Sequence, residues 1–144
     1  MTVVKTIGIF GGGQLGRMLA QAALPLGLHC TFFEAGSECP ASKLGDVIDN
    51  TQPNALQTFA ASADVFSLEF ENTLLADADA LIQTQTLYPP RQALAIAQNR
   101  LSEKALFAEL EIPIAPYTAI HSLADLEQAA QTQGLPLVVK TATG

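Results

Sequence analysis

The stretch from Lys5 to Met18 constrains the fold of this chain more than any other feature. An apolar run ending at Phe10 breaks into a glycine cluster, Gly11 to Gly13, and then into a sequence with helical periodicity that starts at Gln14. This order predicts a buried strand, a tight turn and the first turn of a helix. Backbone N–H groups that crowd at a helix start, with no side chains around them, favour an anion. The pattern therefore predicts a phosphate-facing turn at one edge of a parallel sheet.

Strand-like and helix-like segments alternate as far as Pro90. Apolar runs predict the strands, and apolar residues at helical spacing predict the helices between them. The predicted strands are 3–10, 29–34, 46–49, 64–69 and 86–89, and the predicted helices are 14–26, 53–61 and 73–83. Strands that alternate with helices are typical of a doubly wound parallel sheet with right-handed crossovers. We therefore expect an α/β, Rossmann-like fold.

The pattern changes after Pro90, where two helical segments follow each other without a strand and hinge near 98–102. The prolines within 112–116 then force an extended path. Beyond them we expect a strand over 117–120, a helix opened by Ser122 and Asp125 and closed by Gly134, and a strand over 137–140. These changes predict a substrate-side domain over 1–112 and the beginning of a second, incomplete domain over 113–144.

Composition excludes several classes of function. Apolar residues make up 49% of the chain and charged residues 15%, so the chain can bury a core. Lys and Arg number 7 against 14 Asp and Glu, and the net charge of −7 argues against nucleic acid as a partner. No apolar run approaches the roughly 20 residues of a membrane span, and no secretory signal precedes the first strand. We therefore expect a cytoplasmic protein in which Cys30 and Cys39 are reduced thiols.

One interpretation of the glycine cluster is a dinucleotide site. Gly11, Gly13 and Gly16 match the spacing of the nucleotide-binding fingerprint, and Glu34 ends the second predicted strand, where an acid can bind ribose hydroxyls. These features are compatible with an NAD(P)-binding domain of an oxidoreductase. They are equally compatible with glycines that serve only close contact between a strand and a helix.

Polar residues at the end of the fourth predicted strand indicate a second ligand contact. Ligands of open α/β sheets bind outside the carboxyl ends of the strands, and Glu69 lies at such an end. Its carboxylate can accept hydrogen bonds from ribose hydroxyls or an amine. Glu71 shares its face if the strand continues, but a third metal ligand is lacking. Lys140 ends an apolar run beside a loop, which suits a nucleotide phosphate.

Five segments occur in an order that resembles one enzyme family. They are Phe10–Met18 (FGGGQLGRM), Ser67–Asn72 (SLEFEN), Ala97–Phe107 (with Asn99, Arg100, Glu103 and Lys104), Pro113–Pro116 and Leu137–Thr141 (LVVKT). Together they resemble the N-terminal part of the N5-carboxyaminoimidazole ribonucleotide synthase family, ATP-grasp ligases of purine biosynthesis. The resemblance covers essentially the whole chain. It implies a Rossmann-like preATP-grasp domain, followed by the start of an ATP-grasp domain.

The resemblance also implies an activity and the residues that serve it. The family uses ATP and Mg²⁺ to carboxylate 5-aminoimidazole ribonucleotide with bicarbonate, through carboxyphosphate, and its members are typically cytoplasmic homodimers. Carried over by position, Gly13, Gln14, Leu15 and Glu69 would contact the ribonucleotide, and Arg100 and Lys140 would approach the ATP phosphates. No catalytic or metal-binding residue is expected within this sequence, so we expect the chain alone to be inactive. The alternatives are the NAD(P)-binding domain and a non-catalytic module that binds a phosphometabolite.

Overall fold

The computed structural model describes residues 5–143. The chain divides into two compact units, the first ending at Ala95 and the second starting at Ile96. The sequence predicts a domain boundary further along, between residues 112 and 113, and that boundary stays a prediction. Residues 3 and 4 of the first predicted strand, and Gly144 of the final loop, lie outside the described residues.

The described part of the first unit contains four parallel strands. They are β1 (Thr6–Phe10), β2 (His29–Glu34), β3 (Asp46–Asp49) and β4 (Val65–Leu68), in the order β3-β2-β1-β4. Phe10 at the end of β1 is in register with Phe33 of β2 and Leu68 of β4. All the strands therefore finish at one edge of the sheet, which is where open α/β sheets bind their ligands.

Helices follow the strands in the predicted alternation. The first unit holds α1 (Gln14–Ala23) with a 3₁₀ turn over Leu24–Leu26, α2 (Ala55–Ser62) and α3 (Leu75–Leu81), and α4 (Arg91–Ala97) crosses from the first unit into the second. The second unit continues with α5 (Arg100–Glu109) and α6 (Leu123–Gln133). No helix within residues 5–143 is long and apolar enough to span a membrane.

Two separate cores cover the two faces of the sheet. Because side chains alternate along a strand, Phe10 and Phe33 point to one face while Ile9 and Phe32 point to the other. On the first face the rings of Phe10, Phe33 and Phe66 lie around Phe59, with centroids 5.0 Å from it. On the second face the small residues of α1, Ala20 and Ala23, pack against the strands. The doubly wound α/β prediction is confirmed.

The predicted fifth strand, 86–89, is reduced to a single parallel bridge between Leu87 and Phe66. The N–H of Phe66 donates to the carbonyl of Thr86, and the N–H of Tyr88 donates to the carbonyl of Phe66. Pro89 and Pro90 follow, and proline has no N–H with which to extend the ladder. This prediction was therefore wrong in extent.

The predictions of strands over 117–120 and 137–140 were wrong. Both segments lack regular secondary structure, and Val138 and Val139 are 82% and 65% exposed. A strand needs a hydrogen-bonded neighbour, and the described part of the second unit contains none. Sequence preference alone could not supply that partner.

The helix starts of the second unit are set by side-chain caps. Asn99 accepts hydrogen bonds through its Oδ1 from the N–H groups of Leu101 and Ser102, so α5 begins one residue later. Ser122 accepts from the N–H of Asp125 at 3.2 Å, and Asp125 accepts from the N–H of His121 at 2.9 Å. The predicted cap of α6 and the predicted break between α4 and α5 are both confirmed.

Candidate functional site

Glu69 links the end of β4 to the start of α1. Its N–H donates to the carbonyl of Phe10 at 2.8 Å, which holds the residue beside the end of β1. Its carboxylate accepts hydrogen bonds from the N–H of Gly13 at 2.7 Å and from the N–H of Leu15 at 3.1 Å. The negative charge thus lies at the positive end of the α1 dipole, where it is stabilised.

The residues Gly11–Gly13 are here called the glycine loop, and Glu69 requires two of them, Gly11 and Gly13, to be small. A Cβ atom at Gly11 would lie 2.5 Å from Oε2 of Glu69, and a Cβ atom at Gly13 would lie 2.5 Å from Oε1. Gly11 also has a φ of 99°, a conformation that other residues rarely adopt. In this fold the glycine spacing therefore makes room for a carboxylate of the protein itself.

A second carboxylate holds the other side of the glycine loop. Glu34 accepts from the N–H of Gly12 at 2.9 Å and from the N–H of Ala35 at 2.8 Å. Cys39 lies against the same glycine, since a Cβ atom at Gly12 would be 2.6 Å from its Sγ. The carbonyl of Gly12 accepts from the N–H of Ala41 at 3.0 Å. Sequence spacing suggested Glu34 only as a ribose ligand, and its role as a loop support emerges from the fold.

The backbone donors of the predicted phosphate-facing turn are partly used within the protein, and phosphate binding there stays a prediction. The N–H groups of Gly13 and Leu15 donate to Glu69. The N–H of Gly11 donates to the carbonyl of Phe33, and Gly12 is bound by Glu34. Spacing along the chain could not reveal this, because Glu69 lies 56 residues from Gly13.

A cleft of about 170 Å³ opens beside the glycine loop at the carboxyl ends of the strands. Its walls combine the rings of Phe10, Phe33 and Phe70 with the polar side chains of Glu34 and Asp77. Partial burial raises the pKa of Asp77 above its ordinary value. Sequence reasoning missed Asp77, because nothing in its neighbourhood distinguishes it from a solvated acid on a short helix. Five of the ten lining residues are polar, so the cleft is more polar than the mostly apolar pockets that typically bind small molecules.

A family model described as the ribonucleotide synthetase preATP-grasp domain matches residues 4–98. The chain belongs to this preATP-grasp family. The match spans the whole parallel sheet, the glycine loop and Glu69. It confirms the family resemblance and does not point to an oxidoreductase.

Two relatives of this preATP-grasp chain carry the same enzyme name. The N5-carboxyaminoimidazole ribonucleotide synthase of Pseudomonas aeruginosa is 40% identical over 139 residues, which are 95% of this chain and 39% of the relative. The crystal structure of the synthetase from Thermus thermophilus has a TM-score of 0.79 at 41% identity, covering 90% of this chain and 37% of that one. The chain therefore spans about two fifths of these relatives.

A second solved structure contains ligands. It is the synthase from Aspergillus clavatus in complex with ADP and 5-aminoimidazole ribonucleotide. It has a TM-score of 0.76 at 25% identity and covers 92% of this chain and 37% of that one.

The structure brings together the predicted ribonucleotide contacts of this preATP-grasp domain. Gln14 and Leu15 form the first turn of α1, both are exposed, and Leu15 is bonded through its N–H to Glu69. Gly13 is bonded to the same carboxylate. The four residues therefore share one small region at the carboxyl edge of the sheet, and their role in binding stays a prediction.

The predicted ATP contacts lie in the second unit. The N–H of Arg100 donates to the carbonyl of Ala142 at 2.8 Å, and its Nε donates to the carbonyl of Thr141 at 3.2 Å. The exposed Lys140 precedes this segment directly, so both cations lie at the start of α5. Their approach to phosphate stays a prediction.

Histidines, thiols and metal ligands add no further site within residues 5–143. His29 has an acid partner that was not evident from the sequence, since its Nε2 lies 2.9 Å from Oδ2 of Asp46, but both side chains are largely exposed. Cys30 and Cys39 are both free, and burial raises the pKa of the Cys30 thiol. The described residues contain no group of three or more His, Cys, Asp or Glu that could hold a metal ion.

Proposed function

We propose that this chain is the substrate-side part of an ATP-grasp carbon–nitrogen ligase. The complete enzyme would carboxylate 5-aminoimidazole ribonucleotide with bicarbonate and ATP to give N5-carboxyaminoimidazole ribonucleotide. The observation that carries the proposal is the joining of Glu69 to Gly13 and Leu15 at the carboxyl edge of a preATP-grasp sheet. The ligands of the Aspergillus relative supply the substrate class.

In the proposed reaction this chain positions substrates. Transfer of the ATP γ-phosphoryl group to bicarbonate gives ADP and carboxyphosphate, and the substrate amine then attacks the carboxyl carbon and expels phosphate. The ribonucleotide lies against Gly13, Gln14, Leu15 and Glu69, with the Glu69 carboxylate accepting from its ribose hydroxyls or amine. Holding the amine next to the activated carboxyl group lowers the entropic part of the barrier.

The ATP side of the proposal rests on Arg100 and Lys140. Phosphoryl transfer is catalysed mainly by positioning and by positive charge around the transferred group. Two exposed cations at the start of α5 suit that role as point charges on phosphate oxygens. Mg²⁺ would add charge stabilisation there, but the acids described in residues 5–143 offer no cluster that fits it. We assign no magnesium ligand to this chain. Cytoplasmic location and a homodimer are part of the same proposal.

An activity comparison tests the proposal. Purified residues 1–144 are expected to release no phosphate from ATP in the presence of bicarbonate and 5-aminoimidazole ribonucleotide. The complete enzyme carrying this sequence is expected to release phosphate only when the ribonucleotide is present, and to form the N-carboxylated product. Full activity of residues 1–144, or a complete enzyme indifferent to the ribonucleotide, would contradict the proposal.

A further inference from the structure

Arg100 holds the main chain that follows Lys140. The N–H of Arg100, the first residue of α5, donates to the carbonyl of Ala142 at 2.8 Å, and its Nε donates to the carbonyl of Thr141 at 3.2 Å. The first N–H groups of a helix have no partner within the helix, so the carbonyl of Ala142 satisfies one of them. Two consecutive carbonyls directly after Lys140 are therefore attached to one residue.

The segment 135–143 has little else to fix its position. It forms neither helix nor strand, and within it only Leu137 is even half-buried. Lys140, Thr141 and Ala142 are all exposed. A segment that buries so little surface depends on its hydrogen bonds for a defined path. The two bonds from Arg100 are therefore well placed to decide where the side chain of Lys140 leaves the main chain.

The contact with Thr141 uses a group that only arginine offers. The Nε–H belongs to a rigid, planar guanidinium, whereas the ammonium of lysine is a compact charge at the end of a flexible stem. A lysine at position 100 would keep the positive charge and the backbone N–H that binds Ala142. It would lose the Nε donor to Thr141. The charge of Arg100 and its hold on the segment can therefore be separated by substitution.

We propose that Arg100 is a positioning residue for Lys140. By holding the carbonyls of Thr141 and Ala142, it fixes the main chain from which the Lys140 side chain extends. A fixed main chain reduces the conformational freedom that Lys140 must lose when it binds a phosphate. The inference rests on the proposed function for the ligand of Lys140, which is ATP. It adds to that proposal a dependence of one cation on the other.

Kinetics of the complete enzyme test this dependence with Arg100→Lys, Lys140→Ala and the double variant. Arg100→Lys should raise KM for ATP by about fivefold or more although the charge is kept, and leave KM for 5-aminoimidazole ribonucleotide within about twofold. In the Lys140→Ala background, Arg100→Lys should add less than about twofold, because the residue that it positions is gone.

Lys104 provides the matched control, since it is another cation on α5. Its Nζ lies 4.9 Å from the centroid of the Tyr117 ring, a contact of α5 that involves neither Thr141 nor Ala142. Lys104→Met should therefore leave KM for ATP within about twofold of the wild type. A rise as large as that of Arg100→Lys would show that any disturbance of α5 has this effect, and would overturn the inference.

A second measurement does not depend on the activity. In the ¹⁵N-labelled chain 1–144, Arg100→Lys should lower the heteronuclear NOE of the Thr141 and Ala142 amides, which reports faster motion of the segment, and Lys104→Met should not. Unchanged values in Arg100→Lys would overturn the inference, as would strictly additive effects on KM in the double variant. Failure of the proposed function looks different, because Lys140→Ala would then leave KM for ATP unchanged while the relaxation result still decides whether Arg100 holds the segment.

Discussion

Asp49 accepts four hydrogen bonds at the carboxyl end of β3. The donors are the hydroxyl and N–H of Thr51, the side chain of Gln52 and the N–H of Gly36. The Thr51 hydroxyl contributes most to holding the pKa of Asp49 far below its ordinary value, followed by Gln52. The folded chain therefore binds this proton less readily than the unfolded chain.

A pH-dependent loss of stability follows from Asp49. Its contribution is complete above the unfolded pKa, about 4, and is lost as the pH falls through the lower folded value. Asp49→Asn should therefore be less stable than wild type at pH 7, and the difference should narrow below about pH 4. Urea unfolding at several pH values measures this, with Glu38→Gln as a control. A difference that does not change with pH would contradict the assignment.

Gly8 lies in the middle of β1 beneath an aromatic ring. A Cβ atom there would be 2.4 Å from Cδ1 of Phe66 and 3.1 Å from Cε2 of Phe59, and both rings are fully buried. Gly8→Ala should therefore lower the free energy of unfolding by about 1–3 kcal/mol through overpacking. Chemical denaturation measures the loss. In a double-mutant cycle with Phe66→Leu the loss should shrink, and strictly additive effects would argue against this cause.

At the scale of elements, Asn99 sets the start of α5. Its side chain caps the N–H groups of Leu101 and Ser102, and Arg100 is the first residue of the helix. Asn99→Ala should reduce the free energy of unfolding by about 0.5–2 kcal/mol, whereas Asn99→Asp should retain most of it because Asp also caps well. Thermal or urea unfolding distinguishes the two variants. Equal loss in both would show that the cap is not the cause.

The sequence predicts best the strands whose pairing partners lie in the same described sheet. β2 and β3 have the predicted bounds, because each has apolar residues at its centre, lies between turn residues and pairs within the same sheet. The segment 137–140 has the same character but no strand beside it among the described residues, so it remains irregular. Local preference defines a candidate strand, and pairing decides whether it forms.

The candidate site was predictable in its location rather than its contacts. The rule for open sheets correctly placed Gln14 and Glu69 at one carboxyl edge. It could not show that the carboxylate of Glu69 would occupy the N–H groups of Gly13 and Leu15, since that contact depends on the register of β4 beside β1. The cleft residue Asp77 gave no sequence signal at all.

At the scale of the whole molecule, the two units of the chain hold two different sets of proposed contacts. The first unit holds the glycine loop and Glu69, which we assign to the ribonucleotide, and the second holds Arg100 and Lys140, which we assign to ATP. If this division is correct, substitutions in the two units should affect the two substrates differently. Loss of a hydrogen bond to a charged group typically costs about 1.5–3 kcal/mol, which corresponds to about tenfold or more in a binding constant.

Steady-state kinetics of the complete enzyme test this division most directly. Glu69→Ala should raise KM for 5-aminoimidazole ribonucleotide by about tenfold or more and leave KM for ATP within about twofold, and Lys140→Ala should do the reverse. Equal effects of either variant on both KM values would contradict the division of roles between the two units.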